Sequence, residues 1–255
     1  MKIAVIIPTL GHNRERILKA INSVNATGVH PTIVIVCPEI SRVRSMDIEI
    51  TGDLILLEDL GNSVFSALNI GIDKIKSLCE YYCFLGDDDS LDVDGFRRLY
   101  EVATQKKFDV IYGGIKYLSD NEKVLFTNHS GPFLSRFLLW VPNLIPHPGT
   151  LINVETWKEL NGYNESYKLA SDLDFWLRSR RIAKFKFVNS VAANFRFSQS
   201  TLTGGQRRIS IAESSHIRKT NAGFVGRIIL NAWNPLQVAV AERILDHNLK
   251  RKNVI

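Results

Sequence analysis

Tyr81–Asp92 reads YYCFLGDDDSLD. An apolar run of the kind a buried strand shows ends at Gly86 and gives way to three consecutive aspartates. Side by side these carboxylates repel, and none can be buried without a partner. The stretch predicts a strand whose carboxyl end faces something cationic. The flanking sequence decides whether that end lies at the mouth of a binding crevice.

Upstream, KIAVIIP (2–8), PTIVIVCP (31–38) and DLILLED (53–59) are continuous apolar, β-branched runs, as in buried parallel strands. Between the first two, RERILKAINSVNATG (14–28) sets Ile17, Leu18, Ile21 and Val24 at helical spacing, with Gly28 as its stop. SVFSALNIGIDKIKSLCE (63–80) reads as a helix with Ser63 as N-cap. Downstream, DVDGFRRLYEVATQKK (92–107) is a helix and FDVIYGGIKYL (108–118) a fifth strand. Strand and helix thus alternate over roughly the first 115 residues, the α/β signature. Such units build a mostly parallel central sheet flanked by helices, joined by right-handed crossovers. Ligands bind at the carboxyl ends of its strands. PTLGHNR, CPE and GDDDS, at three such ends, should gather on one edge.

The alternation loosens after residue 118. SDNEKV (119–124) reads as a hairpin turn, and HSGPFLSRFLLWVPNLIPHPG (129–149) as a covering loop. TLINVETWKELNGYNESY (150–167) predicts a strand, a short helix from near Glu155 and a stop at Gly162. SDLDFWLRSRRI (171–182) is a helix with Ser171 as its expected N-cap, and KFKFVNSVAANFRF (184–197) gives one or two strands. The tail begins with the glycine-bearing TLTGGQRR and continues as mostly helical sequence broken at Pro235. The expected division is a domain over 1–205 and a helical C-terminal extension over 206–255.

Composition bounds the function. The 255 residues are 45% hydrophobic and 23% charged, an ordinary globular mixture with ample material for a core. The net charge of +6 suits an anionic partner without choosing one. No nucleic-acid-binding motif is present, so nucleic acid is not expected as partner. The odd count of three cysteines excludes a disulfide framework. Cys79 and Cys83 read as buried thiols, because no further zinc ligands cluster near them. MKIAVIIPTLG is too short an apolar run for a signal peptide and reads as the first strand. No run approaches the ~18 apolar residues that a spanning helix needs. The expected location is the cytoplasm. The tail, with Arg227, Arg243, Lys250, Arg251 and Lys252, is a candidate for contact with the inner face of an anionic membrane; its rival reading is packing on the domain or a dimer contact.

An aspartate cluster at a strand end can hold a divalent metal against a phosphate, bind a ribose, or cap the next helix. Capping explains one aspartate and not three. Four segments, in order, resemble the family 2 glycosyltransferases of the GT-A fold: Pro8-Thr9, Asn69-Ile70-Gly71, Asp87-Asp88-Asp89, and GYNESYKLASDLDFWLR (162–178). The resemblance runs from residue 2 to about residue 200. Each motif is weak alone, and the order and spacing make the set specific.

The resemblance implies a metal-dependent, inverting transferase, hexosyltransferase in type. It would move a sugar from a nucleotide-diphosphate donor to a hydroxyl of a saccharide or lipid-linked saccharide acceptor, in surface polysaccharide synthesis. It implies Mn²⁺ or Mg²⁺ held by Asp89, with Asp87 towards the ribose or donor sugar and Asp88 ambiguous between roles on the donor side. Asn69, Pro8, Thr9 and Arg14 join the donor-binding set by the same analogy; Arg14 reads equally as a solvated helix charge. Asp172 is the implied general base. Its rival reading is a carboxylate favoured by a helix N-terminus. Asp174, two residues on, points off that helical face and is the weaker candidate. The family's second strand usually ends in aspartates that bind the base, whereas this chain has VIVCPEIS. Glu39 is the candidate substitute, and UDP, GDP and dTDP all stay open as carriers.

Further candidates carry rival readings of their own. His147 lines the acceptor side or is a loop histidine. Arg207 and Arg208 close over the diphosphate or form a solvated basic patch. Arg178 pairs with a carboxylate. Trp140 and Trp176 stack on sugars or belong to the core. Two other function classes compete. A metal-dependent nucleotidyltransferase would show a glycine-rich basic loop after the first strand, and PTLGHNRER has one glycine. A non-catalytic nucleotide- or glycan-binding module would need no base at Asp172.

Overall fold

The computed structural model describes residues 1–60, 63–141, 143–197 and 206–231. β1 (Ile3–Pro8) lies between β2 (Thr32–Cys37) and β4 (Tyr81–Phe84), parallel to both, and β2 pairs in parallel with β3 (Leu54–Glu58). These are the strands read from the apolar runs. Period-two alternation divides β1 between two cores. Ile3, Val5 and Ile7 pack into one cluster, Ala4 and Ile6 into the other. Both faces of the sheet are covered, which is why the run is apolar without interruption.

α1 (Arg14–Ala26) covers one face with Ile17, Ala20, Ile21 and Val24, all buried. Each isoleucine or valine so buried contributes about 2 kcal/mol. Asn13 caps the helix by accepting from the Arg16 N–H, and Gly28 follows its end at a φ of 67°. α3 (Val64–Ile75) covers the opposite face, with Ser63 accepting from the Ser66 N–H as expected of its cap. Gly71 lets α3 lie close to the sheet: a Cβ there would stand 2.8 Å from Ile6 Cγ2. A short α2 (Ile40–Arg44) follows β2, and α4 (Val93–Ala103) follows the aspartates, capped by Asp92.

Beyond β4 the sheet turns mixed. β8 (Leu151–Asn153) runs antiparallel between β4 and β6 (Val110–Leu118). β9 (Phe185–Arg196) is a single strand parallel to β6. β5 (Ser90–Leu91) pairs antiparallel with β9, and β7 (Val124–Asn128) with β6 across the expected hairpin. The order is β3-β2-β1-β4-β8-β6-β9-β5, with β7 off β6. The covering segment contains only one turn of helix, α5 (Leu134–Phe137). α6 (Val154–Glu159) and α7 (Ser171–Ser179) follow.

The N-cap expectation at Ser171 is corrected. Ala170 holds that position without a side-chain cap, and the Ser171 hydroxyl instead donates to the Asn164 carbonyl at 2.8 Å. In the tail, α8 (Arg207–Asn221) packs on the domain, with Ile217, Ala222 and Leu230 in the hydrophobic core. No helix among the described residues is long and apolar enough to cross a membrane. Residues 201–205, Pro235, Arg243, Lys250, Arg251 and Lys252 lie outside the described residues.

Candidate active site

The carboxyl ends of β1, β2 and β4 converge, and the three predicted polar stretches meet there. The Thr9 hydroxyl donates to Asp87 Oδ2 at 2.5 Å and accepts from the Gly11 N–H at 3.0 Å. The aspartates form a tight turn in which the Asp89 N–H donates to the Gly86 carbonyl. A Cβ on Gly86 would lie 2.6 Å from Asp89 Oδ2, so only glycine lets that carboxylate fold over the turn. Asp89 is buried, and its Oδ1 accepts from the Arg196 N–H at 3.0 Å.

Burial holds all three carboxyls above the ordinary carboxylate range. For Asp88 the next cause is the charge of Asp87, and for Asp89 that of Asp88. Asp87 is drawn back down by its bond from Thr9 and by Arg16 and His12. Among the described residues the basic side chains acting on the cluster are therefore Arg16, Arg196 and His12, none of which the sequence singled out. Arg14, the α1 cation expected here, is exposed. At about 100° per residue, positions 14 and 16 point to nearly opposite sides of the helix. Glu39 is exposed at the end of β2 and pairs with Arg42 at 2.6 Å.

Asp172 sits in the first turn of α7. Its Oδ2 accepts from Asn143 Nδ2 at 2.9 Å, while Asn143 Oδ1 is buried with no partner among the described residues. Burial pushes the Asp172 carboxyl up to about 6, against the hydrogen bonds from the Leu173 N–H and Asn143. Asp174 is differently employed. Arg178 Nε donates to its Oδ2 at 2.7 Å, while the same guanidinium donates to the carbonyls of Leu160 and Gly162. The Arg178 guanidinium thus ties α7 to the Gly162 turn through Asp174.

Tyr117 on β6 joins the two acidic centres. Burial, then the charges of Asp89 and Asp172, push its hydroxyl up to about 12. One side chain thus feels the charge of both the strand-end cluster and Asp172. Its ring stacks on Phe126 at 4.2 Å and meets Phe195 edge-on at 5.4 Å. The apolar alternation of β6 hid Tyr117 as a core aromatic.

Two expected site residues are reassigned. Asn69 donates to the Tyr163 carbonyl and to Glu165, and accepts from the Tyr163 N–H and the Trp157 indole. Its polar atoms clip the 162–165 turn to α3. His147 is buried, accepts or donates at 2.8 Å to the Tyr163 hydroxyl, and stacks on Phe84. Burial lowers its pKa to about 3, so it is a neutral group packed in the core. Trp176 is fully buried, and Trp140 packs against the same core. Arg208 is exposed at the start of α8. Arg207 opens that helix; its side chain lies outside what is described.

Divalent-cation binding fits this chemistry in one form only. Among the described residues no three His, Cys, Asp or Glu side chains converge as a cage. Asp87 turns to Thr9 and Asp89 to Arg196. A hard cation that takes one or two carboxylates and completes its shell with phosphate and water needs no such cage.

No family model matches the chain. A chondroitin synthase of Pasteurella multocida (strain Pm70) is 25% identical over 132 residues, 51% of this chain and 13% of that protein. An uncharacterized glycosyltransferase of Rickettsia bellii (strain RML369-C) is 26% identical over 165 residues, 62% of this chain and 23% of that one. The chain spans under a quarter of the length of these curated relatives. Among solved structures, S. aureus TarS 1–349 in complex with UDP-GlcNAc superimposes with a TM-score of 0.59 at 14% identity, covering 87% of this chain and 66% of that chain. TarS 1–349 alone gives 0.56 at 17% identity, covering 86% and 69%. The TarS likeness establishes the fold. The chain is thus similar in fold to TarS and, over part of its length, similar in sequence to a chondroitin synthase and to an uncharacterized glycosyltransferase.

Proposed function

We propose that the protein transfers a sugar from a nucleotide-diphosphate sugar to a hydroxyl of a saccharide or lipid-linked saccharide, with inversion, in the synthesis of a surface polysaccharide. The observation that carries this reading is the pair of acidic centres, the aspartates bonded by Thr9 and the Arg196 N–H at the strand ends and Asp172 bonded by Asn143 on α7. One suits an activated donor and the other a base. The donor complexes of TarS with UDP and UDP-GlcNAc support a uridine nucleotide as carrier.

In this reading the acceptor oxygen bonds to the anomeric carbon as the bond from that carbon to the diphosphate oxygen breaks. The acceptor proton passes to Asp172, and the electron pair leaves with the diphosphate. At neutral pH a carboxyl with a pKa near 6 is mostly ionised, yet basic enough to take that proton. Asn143 holds one Asp172 oxygen, and its unpartnered Oδ1 offers the incoming hydroxyl a second acceptor. Arg16 and Arg196 set positive charge where the diphosphate departs. Asp89, with Asp87 and Asp88, would hold Mn²⁺ or Mg²⁺, which supplies further neutralisation of the leaving group when bound.

The test is calorimetric binding of UDP, GDP and dTDP, each with Mn²⁺ and with chelator, to the wild type and Asp89→Ala. Metal-dependent binding of one nucleotide, lost in the variant, supports the reading and names the carrier. No binding of any nucleotide under either condition overturns it. Peripheral association of the tail with an anionic membrane belongs to the same proposal. Because α8 contributes to the core, removing the tail from residue 207 would disturb the domain. Flotation on anionic vesicles is better tested by replacing Lys250, Arg251 and Lys252 with glutamate in the full chain; undiminished flotation would sink that part.

A further inference from the structure

α8 lies some forty residues beyond Asp172 and touches the elements on both sides of it. On one side, Glu213 spreads its carboxylate over three consecutive backbone amides. Oε1 accepts from the Lys168 N–H at 2.8 Å, and Oε2 from the Leu169 and Ala170 N–H groups at 2.9 and 3.0 Å. These residues lead directly into α7, whose N-cap position has no side-chain cap. On the other side, buried Arg218, one turn or so further along α8, donates to the carbonyls of Leu138 and Val141 at 3.3 and 3.0 Å. That segment leads to Asn143, the residue bonded to Asp172.

We propose that Glu213 is a positioning residue for Asp172: by gathering the amides of 168–170 it fixes where α7 begins and therefore where the Asp172 carboxylate stands. Arg218 fixes the partner segment in the same way, so α8 splints the base from both flanks. The inference rests on the reading of Asp172 as the general base. A carboxylate is suited to the task because three amides converging from a turn need an acceptor with several lone pairs. Nothing local replaces it, since Ser171 is turned to Asn164.

The geometry also couples the two acids. Asp172 is faced by Asn143, by the negative charge of Glu213 and by the hydroxyls of Tyr163 and Tyr117; on its own helix Asp174 is already paired with Arg178. Glu213 is faced in turn by Tyr167, which meets His216 of α8. Removing the Glu213 charge should lower the pKa of Asp172, because one source of repulsion is gone.

The experiment follows the Asp172 carboxyl by ¹³C NMR over about pH 4 to 8, a range that spans its ordinary and shifted values, together with amide exchange at 168–170. Asp172→Asn assigns the signal. Turnover is read as UDP released from UDP-GlcNAc. In Glu213→Gln, which keeps the shape but loses charge and one acceptor, the Asp172 midpoint should move down. Exchange at 168–170 should rise about tenfold or more, the loss of a charge-assisted hydrogen bond. Turnover should fall while UDP binding holds. Glu213→Asp, charged but too short to reach all three amides, should raise exchange with little movement of the midpoint; it also decides the matter if the glutamine variant does not fold. A midpoint and exchange rates equal to wild type in either folded variant would overturn the inference, as would lost turnover with both unmoved. Full turnover in Asp172→Asn would instead overturn the reading of Asp172 as base, leaving the measured coupling intact.

Discussion

The strand-end aspartates and Asp172 are both held above the ordinary carboxylate range by burial, but different kinds of chain hold them. Asp87–Asp89 sit in a turn between a parallel strand and a helix, with Thr9 of the neighbouring strand end as partner. Part of their surroundings follows from the repeated strand–helix unit, while the N–H bonded to Asp89 comes from Arg196 of β9. Asp172 sits where the sheet is mixed, and its partners come from a covering segment and from α8. The half around the strand ends draws on the parallel strands and on β9, and the half around Asp172 on the covering segment and α8. Changes in α8 should therefore disturb the second half more than the first.

The largest expected effect separates the halves by function. Asp172→Asn should lower kcat by about 10²–10⁴, the usual worth of a general base, and leave nucleotide binding unchanged in calorimetry. Equal loss of binding would erase the distinction. Next, Asp89→Ala should lower turnover by roughly 10²–10³ through lost stabilisation of the leaving group, and the loss should shrink when Mn²⁺ is withheld from both proteins.

The pH dependence sharpens the comparison. Asp172 acts ionised, so turnover should fall as pH drops through about 6, where an ordinary aspartate would keep it down to about 4. A rate profile flat between those values would remove Asp172 from the base role. Thr9→Val deletes a hydrogen bond to a charged group, worth about 1.5 kcal/mol or more. Donor affinity should fall roughly tenfold, measured by the same titration.

The smallest effect concerns the reassigned histidine. His147 is neutral in the fold because burial lowers its pKa to about 3, whereas in the unfolded chain it titrates near 6.5. Between those values the unfolded state binds more protons, so His147 makes the protein less stable as pH falls below 6.5. Asp172 works the other way, its raised pKa lending relative stability as pH falls from 6 towards 3.8. His147→Phe should cost about 1 kcal/mol at pH 7 through the bond lost to Tyr163. It should also flatten the acid side of the melting curve and leave turnover within about twofold.

The sequence by itself determined the parallel half of the sheet and its helices. Continuous apolar runs, helical spacing and a capping serine are local signals, and each element forms where those signals put it. The run of three aspartates after a strand marked the place where strand ends meet, because charge at a strand end in an α/β fold has few other uses. Asp172 was picked out by the order of the segments that carry the resemblance, and its role as base is the proposal. The tertiary structure alone decided which neighbours act on these carboxylates. It exchanged Arg14 for Arg16, one helical face for another. It turned Asn69 and His147 inward, where hydrogen bonds and aromatic packing use them up. It brought Tyr117, Asn143 and Glu213 to the base from three separate stretches of chain. Such partners leave no pattern in sequence, because a buried polar group needs a partner nearby in space and any segment that folds into reach can supply it.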